Sequence, residues 1–397
     1  MTEATQPRMA RGTKLPLAAL AAALFALLAF APYASATPDP VESGSATVTL
    51  NKGFVKSLKK RGVKIAKIAP GKLKGTKATF PVTGGEMDPT TGAGTVTLGG
   101  GLKFKAGKKK APVKGLVVNT TKKGLFGKVA GKNVKLATLA GWSYARAGFG
   151  VALTVKKLKL TNAAAKKLNK KLGFKKGKKA FKGNSKMGAA RAEEQPSTVA
   201  VLPSGNVAFN ADTGTLGKLA KVGVKIATIS PTQAKGPAAF EFPITGGTIS
   251  PLGTGGVVQS AGGLELEQKL PTADPSKFLE TKITLSNFYV DLAAKSITVE
   301  VSATSNASEE LNLGNLGRSS IADLTIPGVV VDSATRTVSV QNASGKLQPI
   351  SAKVLNAFVE VYEGWLKAQG KTDEEAKQEQ ISAGDPLGTF SMTVQTQ

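Results

Sequence analysis

Histidine and cysteine are absent from the 397 residues, and aromatic residues make up only 6% of them. The first absence excludes a Ser-His-Asp triad and any imidazole general base; the second excludes a thiol nucleophile and a disulfide framework. Zinc, copper and haem centres lose their usual nitrogen and sulfur ligands for the same reason. Carboxylates are scarce in the first half, where residues 37–190 hold Asp39, Glu42, Glu86 and Asp88 and no others. A paired-carboxylate hydrolase is poorly served by that supply, so a non-enzymatic protein is expected. No phosphate-cradling Gly-x-x-x-x-Gly-Lys-Ser/Thr loop or dinucleotide fingerprint is present, and Asn210-Ala211-Asp212 before Gly214 has too few acidic ligands for a calcium loop.

Long apolar runs are also missing, with one exception. Leu15 to Ala31 follows Arg8, Arg11 and Lys14 and precedes Ala34-Ser35-Ala36. A basic head, a short apolar stretch and a small-x-small site read as a secretory signal peptide over residues 1–36, cleaved after Ala36. No later stretch is long enough to span a bilayer. The expected product is secreted, extracellular or associated with the cell surface, with no transmembrane segment in the mature chain.

The positive content is a repeat. Gly62-Val63-Lys64-Ile65-Ala66 and Phe80-Pro81-Val82-Thr83-Gly84-Gly85 return as Gly223-Val224-Lys225-Ile226-Ala227 and Phe242-Pro243-Ile244-Thr245-Gly246-Gly247. Gly100-Gly101-Leu102 returns as Gly262-Gly263-Leu264. Two tandem modules follow, residues 37–190 and 191–397. The 45 glycines and alternating segments such as Ala46 to Leu50 and Ile297 to Ala303 predict a mainly β fold: two repeats of a sandwich-like β-sheet module, each with a packed helix. Short helices are predicted over Gly53 to Lys60 and, behind a Thr161-Asn162 cap, over Ala163 to Leu172 with Gly173 as the stop. The second helix aligns through Leu168-Asn169 with Leu355-Asn356, and Thr372 with Glu375 forms a capping box for a further acidic helix. The run Gly99-Gly100-Gly101 is read as a hairpin turn between Thr95 to Leu98 and Leu102 to Phe104.

Charge separates the copies. Residues 37–190 carry 35 Lys+Arg against 4 Asp+Glu, whereas residues 191–397 carry 16 against 21. Lys103 and Lys105 align with Glu265 and Glu267, which marks those positions as outward in both modules. The basic clusters are Lys108, Lys109 and Lys110; Lys122 and Lys123; Lys166, Lys167, Lys170 and Lys171; and Lys175, Lys176, Lys178 and Lys179. They are nearly all lysine, with aromatics scattered instead of interleaved, which points to loose polyanion contact and away from sequence-specific nucleic-acid readout. An anionic cell-envelope polymer or lipid surface is the expected partner; a merely solvated face is the competing reading.

The hairpin-like segments at Gly92 to Leu102 and Gly253 to Leu264, the strand Leu285 to Leu292 and the terminal Pro386-Leu387-Gly388-Thr389 give the chain a resemblance to the HtaA domain family of actinobacterial surface proteins. That resemblance implies a β-rich module that binds and passes on haem through a tyrosine ligand supported by histidine. The sequence departs from this pattern, because Phe54 to Lys60 and Thr215 to Lys221 contain no tyrosine and histidine is absent. No cofactor is therefore expected. The alternative is a haem carrier using Tyr289, whose counterpart in the first copy is read as Phe126 and which a core aromatic also explains.

Overall fold

The computed structural model describes residues 38–175, 177–307 and 312–397. The expected signal peptide with its Ala36 cleavage site, and Lys176, lie outside the described residues. The first module contains β1 (Asp39–Leu50), α1 (Lys52–Lys60), β2 (Val63–Ile68), β3 (Lys72–Lys74), β4 (Lys77–Met87), β5 (Gly94–Ala106), β6 (Lys109–Asn119), β7 (Gly124–Val129), β8 (Lys132–Ala147), β9 (Gly150–Leu160), α2 (Asn162–Leu172) and β10 (Lys186–Pro196). The second contains β11 (Val199–Ala200), β12 (Asn206–Ala211), α3 (Thr213–Lys221), β13 (Val224–Ile229), β14 (Gln233–Ala234), β15 (Ala239–Ile249), β16 (Gly256–Ser260), β17 (Gly263–Pro271), β18 (Phe278–Asp291), β19 (Ser296–Ser305), β20 (Gly314–Thr325), β21 (Val329–Asp332), β22 (Thr337–Leu347), α4 (Pro349–Ala368), α5 (Asp373–Ala376) and β23 (Pro386–Gln395). Strand β10 runs across the boundary expected at residue 190, and the sheet changes at Val199.

Each sheet closes on itself. In the first module the ring runs β5-β6-β7-β8-β9-β10-β1-β4 and returns to β5. In the second, β15-β12-β23-β22-β20-β19-β18-β16 returns to β15. All the strand pairs are antiparallel, so the two mainly β modules are closed barrels, which leave no free edge within the ring. The closing strand is β4, bonded to β1 along one edge and to β5 along the other, with a register break between Val82 and Gly84. Only glycine fits there: Gly85 has φ +138°, and an added Cβ would lie 2.1 Å from the Thr95 carbonyl oxygen. Gly247 repeats this against Val257 at 2.0 Å. This is the physical content of the repeated Thr-Gly-Gly.

The Gly99-Gly100-Gly101 run is not a hairpin. Strand β5 passes straight through it with a register break between Leu98 and Gly101, pairing with β4 before the break and β2 after it. In the second module the equivalent strand is interrupted, and its halves β16 and β17 both pair with β18 and not with each other. Positive φ serves a bulge as well as a turn, and at Gly100 (φ +83°) an added Cβ would meet the Gly71 nitrogen at 2.4 Å.

The helices follow their local signals. Asn51 and Thr161 cap α1 and α2 through their side chains, and Gly173 ends α2 in the left-handed conformation. Asp212 caps α3, and Thr372 with Glu375 forms the capping box of α5. The aligned asparagines do the same work in both modules. Buried Asn169 on α2 accepts from the Ala180 and Phe181 amides at 3.0 and 3.1 Å and donates to the Phe181 carbonyl at 2.8 Å. Asn356 on α4 accepts from and donates to Ile381, both at 2.8 Å. The clamp seats Phe181 edge-on against Phe54 of α1 and Phe104 of β5, with ring centroids 6.3 and 5.2 Å away. Replacing Asn169 by Leu strands buried main-chain groups of Ala180 and Phe181, and a cost of about 2–3 kcal/mol is expected. A fall in the first module's unfolding midpoint in denaturant melts checks this; an unchanged midpoint contradicts the clamp.

Candidate functional site

Barrel closure sorts side chains into an inside and an outside, and each carries a candidate feature. Inside, both barrels are apolar. The first encloses a cavity of about 70 Å³ walled by residues such as Phe80, Phe104, Leu158 and Phe181. The second encloses about 100 Å³ walled by residues such as Phe209, Phe240, Leu264 and Leu355. Three of the four polar side chains at the second cavity are committed elsewhere: Asp212 caps α3, Thr215 donates to the Pro386 carbonyl at 2.7 Å and Ser351 to the Ile321 carbonyl at 2.8 Å. No tyrosine lines either cavity. A haem needs an iron ligand and space nearer the ~300–1,000 Å³ of ordinary ligand pockets, so neither interior cavity fits one.

Tyr289 lies apart from the cavity walls. Its ring is covered by the Arg318 guanidinium at 3.6 Å, and Arg318 is itself held by the Asn287 carbonyl at 2.9 Å and by Glu300 at 3.2 Å. The pairing also replaces Phe126 as its counterpart. Tyr289 faces Gln259 and Val117 faces Thr97, where Gln259 and Thr97 oppose the matching glycines Gly246 and Gly84. The first-module equivalent is therefore Val117.

Outside, the first barrel is split by charge. Its six carboxylates, Asp39, Glu42, Glu86, Asp88, Glu193 and Glu194, lie on β10, β1 and β4 or in the turn after β4. Strands β5 to β9 form the rest of the ring and carry none, while Lys103, Lys105, Lys110, Lys114, Lys128 and Lys135 are among the lysines spread across them. Among the described residues the one ion pair within this barrel joins Arg191 to Glu193 on β10 at 2.6 Å.

The predicted lysine clusters fall into two places. Lys109 lies over Gly173 at the end of α2, where an added Cβ would sit 2.2 Å from its Nζ. That brings Lys108, Lys109 and Lys110 to the loop bearing Lys175, Lys178 and Lys179, all exposed. Lys122 and Lys123 stand beyond the opposite end of β6, where Lys135 donates to the Lys122 carbonyl at 2.8 Å.

A third feature escaped the sequence reading. Asp39, Arg146 and Glu194 form a charged trio at one end of the first barrel, with the two carboxylates 5% and 2% exposed. In strand register they occupy the positions of Val199, Val331 and Val394, so charge stands where the second barrel has an apolar layer. The Val151 amide bonds Glu194, and Arg146 donates to the Gln397 main-chain oxygen. Asp39 Oδ2, Glu194 Oε2 and Arg146 Nη1 are buried without a hydrogen-bond partner. Burial raises Asp39 to about 6, with Arg146 opposing and Asp88 reinforcing the shift. Burial raises Glu194 to about 7, opposed by the Val151 amide and reinforced by Asp39. Burial and Arg336 lower the Arg146 value. The three were missed because they are far apart in sequence; their one signal was acidic residues at positions where the other copy has valine.

Residues 209–364 match the family model HtaA, described as Htaa. The matched residues lie within the second barrel. Among solved structures, the chain is similar to the C-terminal domain of HtaA from Corynebacterium glutamicum, at 11% identity and a TM-score of 0.31 over 39% of this chain and 98% of that one. It is also similar to the N-terminal domain of the same protein, at 14% identity and a TM-score of 0.29 over 49% of this chain and 98% of that one. Likenesses at that level fix neither a ligand nor a residue. No curated protein matches the chain in sequence.

The trio generates a pH prediction. Raised carboxyl values mean that the folded state holds protons the unfolded chain has released, so stability falls as pH rises from about 4 to about 7 and levels off above that. Substituting the second barrel's residues, as Asp39→Val, Arg146→Val and Glu194→Val together, should stabilise the protein at pH 8 by about 1–4 kcal/mol. The slope between pH 5 and 8 should flatten. Melting curves of both forms across that range check it, and a triple variant less stable at pH 8 contradicts it.

Proposed function

We propose that the chain is a secreted, non-catalytic binding protein of two HtaA-type barrels, the first of which attaches it to an anionic polymer of the cell envelope. The first barrel shares the ring order, the closing glycine pair, the asparagine clamp and the capped helices of the second, which supports extending the family to it. The observation that carries the attachment reading is the charge split: strands β5 to β9 form a continuous lysine-bearing arc without one carboxylate. Random placement of lysines for solubility would not keep every acid on the opposite arc. Lysines of this kind hold phosphate or carboxylate chains by counterion release, which needs charge density and no fixed pocket. The apolar cavities leave room for a small ligand and offer no iron ligand, so haem transfer is not part of the proposal.

Retention of the full chain on an immobilised polyanion should fall steeply with salt. With 6 to 10 anionic groups engaged, affinity on a DNA-like polymer drops roughly 10³- to 10⁵-fold between 50 and 200 mM. Retention that is absent at low salt, or insensitive to salt, overturns the attachment reading.

A further inference from the structure

We propose that the outer face of β2, β5 and β6 is a track for a flexible linear polyanion laid across the strands, and that repulsion among its lysines is retained there against the stability of the barrel. The inference rests on the attachment reading above and gives it an address.

Strand register puts Lys64 of β2 directly opposite Lys105 of β5, and Lys105 directly opposite Lys110 of β6. Three like charges thus stand in one row across three strands. On the next pair of strands Lys114 faces Lys128. Like charges placed directly opposite one another destabilise a sheet. The second barrel shows what the same positions do without that constraint. Its row reads Lys225, Glu267, Lys282, with the central sign reversed. There Lys282 pairs with Glu265 at 3.3 Å and Glu267 at 3.9 Å. One glutamate at the position of Lys105 would relieve the row, and the first barrel keeps lysine.

The chemistry of the face selects the partner. Neighbouring strands are about 4.8 Å apart, so successive lysines can meet successive anions of an extended chain. The face carries no arginine, which favours recognition by charge density over bidentate phosphate or base contacts. A bilayer-binding face would also present apolar side chains among its cations. Of the large hydrophobic residues exposed in the described chain, Tyr144 alone lies in the first barrel, and it sits on β8 away from this row. At its far end the row meets the β5–β6 hairpin, where Lys109 lies over Gly173 at the C-terminus of α2, whose last turn carries Lys170 and Lys171.

The test transplants the second barrel's residue into the first. Full-length Lys105→Glu is compared with wild type and with Lys186→Glu, an equal charge change on β10 outside the track. Binding to long-chain polyphosphate, polygalacturonate and phosphatidylglycerol vesicles is measured at 50 mM salt, with melting curves alongside. We expect Lys105→Glu to lose roughly tenfold or more in polymer affinity while melting higher, and Lys186→Glu to stay within about twofold of wild type. Preference between the two polymers identifies the anion as phosphate or carboxylate. Equal losses in both variants would mean that net charge alone binds, overturning the track and leaving the attachment reading intact. Tighter binding to vesicles than to either polymer, or a lower melting point for Lys105→Glu, would also overturn the track. No binding by wild type would remove both readings together.

Discussion

Closure of the sheet is the constraint on which the rest of each barrel depends. Strand β4 closes the first ring by bonding to a neighbour on each side, and past its register break Gly85 approaches the Thr95 carbonyl more closely than any Cβ allows. The second barrel closes in the same way at Gly247. Closure gives every strand residue a fixed assignment, inward to the apolar core or outward to solvent. Inward positions are held to apolar side chains of compatible volume, while outward positions are free to change sign, and the two copies have used that freedom in opposite directions.

The copies act as controls for one another. Where barrel geometry alone dictates the residue, they agree: the glycine pair, the Asn169 and Asn356 clamps, and the positive-φ glycine at Gly100 and Gly262. Where they differ at equivalent positions, geometry is not the reason. The Lys64, Lys105 and Lys110 row against Lys225, Glu267 and Lys282 is one such difference, and the Asp39, Arg146 and Glu194 trio against three valines is the other. Both work against stability in the first barrel, one by surface repulsion and one by burying charge. Sequences keep such features at sites that serve something besides the fold. The row faces solvent, where the proposed polyanion would lie. The trio lies at the end of the barrel where Arg146 donates to the Gln397 main chain, two residues beyond β23.

Much of this was legible in the sequence wherever the cause was local. The caps at Thr161 and Thr372 and the helix stop at Gly173 rest on neighbouring residues, and all are in place. The repeat itself gave the two modules and the outward pairing of Lys103 and Lys105 with Glu265 and Glu267. What depended on distant pairing was not legible. Gly99 to Gly101 satisfies a hairpin and a bulge equally well, and only the strands facing it, β4 and β2, decide between them. Tyr289 matched Phe126 in local sequence, but sheet register places it with Val117. The lysines drew notice as clusters along the chain, whereas the row that matters joins residues from three strands.

The central claim is that the first barrel binds through one arc of its surface. Lysine acetylation followed by mass spectrometry, on the full chain with and without bound polyphosphate, tests it most directly. The account predicts strong protection of Lys64, Lys105, Lys110, Lys114 and Lys128, with Lys186, Lys225 and Lys282 labelled as fast as in the free protein. Protection spread evenly over both barrels, or concentrated on the second, would contradict it.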